Sequence, residues 1–188
     1  MSEKQRKIIQ IRPLGPEDFE LFWSVRLLAL QESPQAFGAS YEESKKMAPE
    51  EAIRRLKPRD GGFVLGAFVQ SASADGAFSP TLVGLAGFVR HDFLKGKHKG
   101  MIWGVYVVPE FRGQGVARAV VNTAIEKCRT IEGLEEITLT VSATNEPACN
   151  LYKSLGFETY GVEPRALKID GEYIDEALMV LRLHAIKD

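Results

Sequence analysis

A chain of 188 residues is long enough to bury one sizeable hydrophobic core, and 45% hydrophobic with 26% charged residues is ordinary for a globular protein. The formal net charge of -1 gives no electrostatic reason to expect nucleic acid or an anionic membrane as a partner. We expect a single domain over residues 1–188, with a core of about 8–183.

The N-terminus and the cysteines predict the cellular compartment. The first seven residues are polar and charged with no apolar segment behind them, unlike a secretory signal. No apolar run approaches the ~20 residues that a membrane span needs. Cys128 and Cys149 form no Cys-x-x-Cys motif and fit a reducing compartment better than a disulfide framework. These features predict a cytoplasmic protein, either a monomer or a homodimer, without a membrane partner.

The first half of the chain predicts a strand, two helices and two further strands. The first of these helices has a broad apolar stripe in which Arg26 stands among Phe19, Phe22 and Leu30. The second helix begins with Pro49 and two glutamates, which suit a first helical turn. The predicted ranges are a strand over 8–12, helices over 17–31 and 48–57, strands over 63–69 and 82–90, and a polar connection over 71–76 between these strands.

The second half alternates strands with helices and ends in two strands. Asp170-Gly171 between the last two strands is a strong hairpin signal. The predicted ranges are a basic turn over 95–100, a strand over 101–108, a helix over 116–131, a strand over 136–141, a helix over 146–155, and strands near 157–168 and 173–183.

The first motif is the junction of the strand over 101–108 with the helix over 116–131. Pro109 ends an apolar, β-branched run, and a turn containing Gly113 and Gly115 leads directly into the helix. The first N–H groups of a helix have no internal partner and carry the positive end of its dipole. A glycine lets a phosphate approach the main chain closely. The junction therefore predicts a phosphate-binding turn, although an unliganded strand-to-helix connection has the same local pattern.

A second motif begins at Asn145 and ends at Phe157. Asn145 followed by Pro147 suits a helix N-cap. Tyr152 lies seven residues later, close to two helical turns, so the two side chains are expected on one side of the helix.

Together, the two motifs and the order of the elements resemble the GNAT superfamily of acyl-CoA-dependent N-acetyltransferases, over roughly residues 8–183. The resemblance implies an α/β fold with a mixed central sheet of about seven strands and four helices, in the order β-α-α-β-β-β-α-β-α-β-β. The matching residues are Arg112, Gly115 and Ala117 in the first motif, and Asn145, Ala148, Leu151, Tyr152, Gly156 and Phe157 in the second.

The resemblance implies acetyl-CoA as co-substrate and an amine as acceptor, joined by direct attack in a ternary complex. Tyr152 is then expected near the departing sulfur, where its hydroxyl would stabilise or protonate the thiolate. The alternative for Tyr152 is a buried core aromatic, and the alternative for Asn145 is an N-cap alone. The implied cofactor-binding residues are Val105, Tyr106, Val107, Arg112, Gly113, Gln114, Gly115, Val116, Ala117, Arg118 and Asn145.

The general base does not follow from the motifs. Some family members have a glutamate five residues before the Asn of the second motif, and this chain has Thr140 there. The acceptor's proton must then leave through water or a residue outside the motifs. The candidate bases are Glu42, Glu43, His91, Asp92 and His98, each of which is also an ordinary surface residue. The three histidines lack metal-ligand spacing, so we expect no metal.

The acceptor site is the least specified part of the sequence. Phe37 and Tyr41 are candidates to line a pocket, and Glu42 and Glu43 to attract a cationic amine. A packed connection between helices explains the same segment. A small metabolite, an antibiotic, a polyamine and a protein amine all remain open. The missing glutamate also leaves open a non-catalytic acyl-CoA-binding module that acts as a sensor or scaffold, although Tyr152 favours an enzyme.

Overall fold

The computed structural model describes residues 9–57, 61–72 and 78–183. The first residue of the predicted first strand, part of the 71–76 connection and His184 therefore lie outside the described residues. The strands are β1 (Ile9–Pro13), β2 (Phe63–Ala72), β3 (Phe78–Arg90), β4 (Lys99–Val107), β5 (Glu136–Ser142), β6 (Glu158–Ile169) and β7 (Glu172–Arg182). The helices are α1 (Phe19–Glu32), α2 (Tyr41–Lys45), α3 (Pro49–Ile53), α4 (Val116–Arg129) and α5 (Glu146–Ser154).

The seven strands form one sheet in the order β1-β2-β3-β4-β5-β7-β6. β4 and β5 run parallel and the other neighbours are antiparallel, which confirms the predicted mixed α/β fold. Parallel neighbours need a crossover connection, and α4 supplies it. No described helix combines the length and the hydrophobicity needed to cross a membrane.

The helix count differs from the prediction of four, because the described residues contain a fifth, α2. Ser40 caps α2: its hydroxyl oxygen accepts a hydrogen bond from the Glu43 N–H at 3.2 Å, and the hydroxyl donates to the Glu43 carboxylate at 2.9 Å. The predicted helix over 48–57 is only five residues long and is followed by a turn that buries Leu56.

Two apolar layers cover the two faces of the sheet. On one face, Val120, Val121 and Ala124 of α4 are completely buried against the strands. On the other face, Phe22 and Ala29 of α1 are buried in a second cluster that also contains residues of β2, β3 and β4. The buried faces of the two long helices therefore pack on opposite sides of the sheet.

The two central strands separate toward their carboxyl ends. β4 and β5 pair only where 99–101 meet 136–138. Further along β4, Gly104 and Val105 lie opposite the single residue Ala86 of β3, and Gly104 has a φ of 66°. This is a β-bulge, which bends the strand that contains it. β4 and β5 therefore form no ladder beyond Met101, and a cleft opens between them.

The hairpin predicted at Asp170-Gly171 is present. Both residues have positive φ, 50° and 89°, as a two-residue type I′ turn requires. The turn joins β6 to β7 and sets the register between these two strands at Ile169 and Glu172.

Candidate active site

The cleft between the separated strands has a volume of about 750 Å³. It is bounded by the end of β4, the turn into α4, the end of β5, the start of α5 and the segment after α1. The lining residues are Ser33, Gln35, Ala36, Phe37, Val105, Tyr106, Val107, Phe111, Arg112, Gly113, Gly115, Val116, Ala117, Arg118, Ser142, Thr144, Asn145, Pro147, Ala148, Leu151 and Tyr152. Ten of the eleven expected cofactor-binding residues, Tyr152 and Phe37 therefore share one cleft.

The glycine turn opens α4 with its main chain facing this cleft. Gly113 and Gly115 have φ of 71° and 82°, a conformation that glycine adopts without steric cost. A Cβ atom added at either position would meet no atom within 4 Å. The first hydrogen bond of α4 runs from the Ala119 N–H to the Gly115 carbonyl at 3.0 Å, so the three preceding N–H groups have no partner within the helix. The turn has the geometry of an anion-binding helix N-terminus.

Arg112 is held by protein groups. Its guanidinium forms a two-pronged ion pair with Glu32 at the end of α1, with Nη1 3.0 Å from Oε1, and its Nε donates to the Val107 carbonyl at 2.9 Å. The hydroxyl of Tyr106 donates to the same carboxylate at 3.0 Å. Glu32 thus offsets the positive charge that Arg112 would otherwise place beside the glycine turn. Arg112 instead fixes the turn to β4 and α1.

The ion pair shifts the titration of its members. The hydrogen bond from Arg112 keeps the pKa of Glu32 below its ordinary value, so this carboxylate is a weak base. Burial, with the nearby Glu32 carboxylate, raises the pKa of Tyr106 to about 12. The pKa of Arg112 is raised by its hydrogen bond to Glu32.

Two other predicted cofactor residues differ in their orientation. Gln114 does not line the cleft, because its side-chain amide donates to the Glu110 carbonyl at 2.9 Å. Any contribution from Gln114 would come from its main chain. Arg118 lines the cleft, and its guanidinium donates to the Ser154 hydroxyl at 2.6 Å, which links α4 to α5. Arg112 is paired with Glu32, whereas no carboxylate of the described residues contacts the Arg118 guanidinium.

Asn145 and the edge of β4 form the middle of the cleft. Oδ1 of Asn145 accepts a hydrogen bond from the Ala148 N–H at 3.2 Å, so the residue is the N-cap of α5. The Val108 N–H donates to the carbonyl of Val83 on β3 at 2.9 Å. Successive residues of a strand direct their main-chain groups to opposite edges, so those of Val107 point away from β3 and toward the cleft. The Val107 carbonyl is already bound by Arg112, which leaves its N–H facing the cleft.

Tyr152 forms the wall of the cleft opposite β4. It lies on α5 two turns after Asn145, is 7% exposed, and packs edge-on against Phe157 with ring centroids 5.9 Å apart. Burial raises the pKa of its hydroxyl well above the ordinary value. The hydroxyl is therefore protonated at neutral pH, and it can act as a hydrogen-bond donor.

The acceptor residues expected on the α1–α2 segment are only partly brought to the cleft. Phe37 lines it, whereas Tyr41, Glu42 and Glu43 lie on α2 and do not. The physical reason is local, because Glu43 is held in the cap of α2 by Ser40. The ring of Tyr41 is covered by Lys45, whose Nζ lies 5.6 Å from the ring centroid.

None of the five candidate bases lines the cleft. His91 and Asp92 follow β3, and the His91 N–H bonds to the carbonyl of Lys99 at the start of β4. Lys99 is six residues before Val105, and a strand rises about 3.3 Å per residue. His91 and Asp92, which lie beside Lys99, are therefore roughly 20 Å from the cleft. His98 adjoins Lys99 and is equally distant. The polar side chains at the end of β5 in the cleft are Ser142 and Thr144, whose hydroxyls are 3.0 Å apart.

Two charged residues of α1, Glu32 and Arg26, lie outside both sequence motifs. Glu32 anchors Arg112, and nothing in the sequence pairs the two, because they are 80 positions apart. Arg26 is buried on the inner face of α1, 6% exposed. The signal for Arg26 was present, since it occupies a position in the apolar stripe where a hydrophobic residue is expected. No group of three or more His, Cys, Asp or Glu side chains in the described ranges is arranged to hold a metal.

Comparison with known proteins identifies the family and the fold. The family described as Acetyltransferase (GNAT) family matches residues 26–157, more than half of the chain. Two solved structures share the fold over nearly the whole chain. A GNAT acetyltransferase from Streptococcus pneumoniae has a TM-score of 0.77 at 21% identity, covering 93% of this chain and 99% of that one. The yncA protein of Salmonella typhimurium, solved with acetyl-CoA, has a TM-score of 0.76 at 21% identity, covering 96% and 98%.

Relatives of known name are similar over shorter segments. Spermidine N(1)-acetyltransferase of Vibrio cholerae is 30% identical over 100 residues, which are 53% of this chain and 56% of that protein. The L-amino acid N-acetyltransferase AaaT of Escherichia coli is 35% identical over 77 residues, 41% and 48% of the respective chains. The chain thus spans about half the length of these relatives, whose names indicate different amine acceptors.

Proposed function

This chain belongs to the acetyltransferase (GNAT) family, and we propose that it transfers an acetyl group from acetyl-CoA to a primary amine by direct attack in a ternary complex. The observation that carries the proposal is the single cleft in which the glycine turn of α4, the free edge of β4 and the buried Tyr152 meet. The same three features suit the three parts of acetyl-CoA, namely the pyrophosphate, the peptide-like arm and the thioester.

The pyrophosphate is proposed to bind at the turn from Arg112 to Arg118. The main-chain N–H groups at the start of α4 supply the donors and the helix dipole supplies a partial positive charge. Both glycines leave the approach open, since no atom lies within 4 Å of an added Cβ. Arg118 adds a full positive charge at the α5 side, while Arg112 holds the turn in place.

The peptide-like arm is proposed to pair with β4 in the manner of an added strand. β5 has separated from β4 at this level, so the β4 edge near Val105 and Val107 has no strand neighbour on that side among the described residues. An unpaired strand edge is a template for another extended chain. The amide nitrogen of Asn145 is available for the same arm, because the N-cap bond uses only Oδ1.

The chemistry requires a leaving thiolate to be stabilised. The amine nitrogen attacks the thioester carbonyl carbon, and collapse of the tetrahedral intermediate breaks the C–S bond and forms the amide. Because burial raises the pKa of the Tyr152 hydroxyl above its ordinary ~10, full proton transfer to a thiolate whose conjugate acid has a pKa of ~8.5 is unfavourable. Tyr152 is therefore proposed to donate a hydrogen bond, and the proton lost by the amine reaches the thiolate through solvent.

No carboxylate or histidine of the described chain lines the cleft, so water is the proposed acceptor of the amine's proton. The hydroxyls of Ser142 and Thr144, at the end of β5, are placed to hold such a water. Phe37 is proposed to contact the acceptor from the other side.

The experiment is an assay of free thiol released from acetyl-CoA with a panel of amines, for the parent protein and Tyr152→Phe. The variant keeps the ring and its packing and loses only the hydroxyl. We expect unchanged acetyl-CoA affinity and a loss of kcat well above ~10-fold when chemistry limits the rate. Tyr160→Phe is the matched control, since Tyr160 is 60% exposed on β6. A Tyr152→Phe variant as fast as the parent would remove Tyr152 from the mechanism, and a parent inactive with every amine would refute acetyl transfer.

A further inference from the structure

Arg26 carries a charge that no carboxylate among the described residues balances. The side chain is 6% exposed on the inner face of α1, and within the described residues neither Nε nor Nη1 has a hydrogen-bond partner. The charged group that acts on it is a second cation, Arg55. Buried arginines are almost always paired, because desolvating an ion without a partner costs several kcal/mol. An uncompensated guanidinium in this position favours the binding of an anion that the described residues do not provide.

The guanidinium lies directly behind the wall of the cleft. The ring of Phe37 lies over it, with the guanidinium carbon 4.7 Å from the ring centroid, and Phe37 lines the cleft. On its other side, Nη1 is 3.6 Å from the position that a Cβ would occupy on Gly104, the residue of the β4 bulge. Arg26 is therefore held between the α1–α2 segment and the part of β4 where the cleft begins.

The aromatic contact does not account for the burial. A cation–π contact with one ring contributes less free energy than the desolvation of an unpaired guanidinium costs. Burial lowers the pKa of Arg26 to about 10, so the group still carries its charge at neutral pH. Phe37 is half-buried and separates the guanidinium from the cleft, so a ligand in the cleft reaches Arg26 only when this side chain changes rotamer.

The surroundings disfavour a polycationic acceptor. The charged side chains that line the cleft in the described chain are Arg112 and Arg118, and no carboxylate lines it. Arg55 lines a second pocket, of about 270 Å³, together with Lys57 and Trp103. Glu32 offsets the charge of Arg112, so the cations left are Arg118 in the cleft and Arg55 near Arg26. No described carboxylate in the cleft is available to bind a polycation.

We propose that Arg26 binds the carboxylate of the acceptor, so that the acceptor is an amino-acid-type molecule with both an amine and a carboxylate. The inference rests on the proposed acetyl transfer and names its substrate class. Guanidinium and carboxylate form paired hydrogen bonds in a fixed geometry, which would hold the amine at a defined distance from the thioester. Arg26 is then a specificity-determining residue, and Phe37 is the side chain that covers it when no acceptor is bound.

The test compares amines that differ only in the carboxylate. The pairs are L-methionine with 3-(methylthio)propylamine and L-phenylalanine with 2-phenylethylamine, and spermidine is added as a polycation. We expect the parent to prefer the amino acid of each pair. Arg26→Met should lower kcat/KM for the amino acids by about a hundredfold, mainly through KM, while the simple amines and the acetyl-CoA affinity change little.

The controls separate recognition from folding. Removing an unpaired buried charge is expected to leave the urea midpoint of Arg26→Met equal to or above that of the parent. Arg129→Met is the matched control, because Arg129 bonds to Leu183 at the far end of α4. If Arg26→Met keeps the parent's preference, or if the parent prefers the simple amines or spermidine, the carboxylate site is refuted while acetyl transfer stands.

A parent that releases no thiol with any amine would instead refute the proposed function. Calorimetry of L-methionine with the CoA-saturated protein then decides the inference separately. Binding that Arg26→Met abolishes supports a carboxylate site, and absence of binding to the parent overturns it.

Discussion

The glycine turn gives the sharpest test of cofactor binding. Gly115 is the N-cap of α4, with a φ of 82° and open space at its Cβ position. Gly115→Glu introduces a side chain and a negative charge where the pyrophosphate is proposed to lie. Hydrogen bonds to charged groups contribute about 1.5–3 kcal/mol each. Losing two of them costs at least ~3 kcal/mol, which corresponds to an affinity for CoA about a hundredfold weaker or worse.

The same substitution also strains the backbone, and that effect must be separated from binding. An L-residue in the left-handed region costs roughly 1–2 kcal/mol. For a chain of this length each kcal/mol lowers Tm by about 2–4 °C. Gly171→Glu is the matched control, because Gly171 has a φ of 89°, equally open space and a place in the β6–β7 turn. Both variants should lose a similar amount of Tm.

The assay is isothermal titration calorimetry with CoA, preceded by circular dichroism to establish that each variant is folded. We expect parent-like affinity for Gly171→Glu and a loss of at least a hundredfold for Gly115→Glu. Gly115→Ala should fall between them, since it adds strain without charge. A folded Gly115→Glu variant that binds CoA as tightly as the parent would refute the assignment of this turn.

The buried Tyr152 hydroxyl, the paired Glu32 carboxylate and the buried Met179 side chain each give a measurable expectation. Burial raises the pKa of Tyr152, so the hydroxyl should stay protonated up to pH ~10 and, below that pH, the rate of the parent should not fall through its deprotonation. A fall in rate below pH ~10 that is present in the parent and absent in Tyr152→Phe would contradict a protonated donor. The folded-state pKa of Glu32 is lowered, so the stability it contributes is present above its ordinary pKa of ~4.3 and is lost as pH falls. Urea midpoints of parent and Glu32→Gln should therefore differ at pH 7 and converge in acid; a constant difference would refute this linkage. Met179→Ala should cost about 2–5 kcal/mol in urea unfolding with an unchanged m-value, since Met179 is completely buried, and a loss below 1 kcal/mol would show that the core collapses around the site.

The sequence by itself determined the fold and placed the residues of the proposed cofactor site, except Gln114, in one cleft. Local signals were sufficient there, because strand and helix patterns, the two glycines before α4 and the Asn-x-Pro start of α5 act within a few residues of each other. The hairpin at Asp170-Gly171 follows from the same kind of signal, since both residues tolerate positive φ. The short helix α2 was missed because its cap, Ser40 with Glu43, lies in a segment without a long periodic pattern.

Only the tertiary structure decided which charges face the cleft. Glu32 neutralises Arg112 across 80 positions of sequence, and Glu43 turns to its own helix cap, so neither outcome follows from residue type. Arg26 stands in the apolar stripe of α1 in the sequence, but its lack of a carboxylate partner among the described residues becomes visible only in the folded structure. The reason is physical: backbone conformation depends mainly on neighbours in the chain, whereas the energy of a charge depends on the dielectric and the partners that folding brings around it.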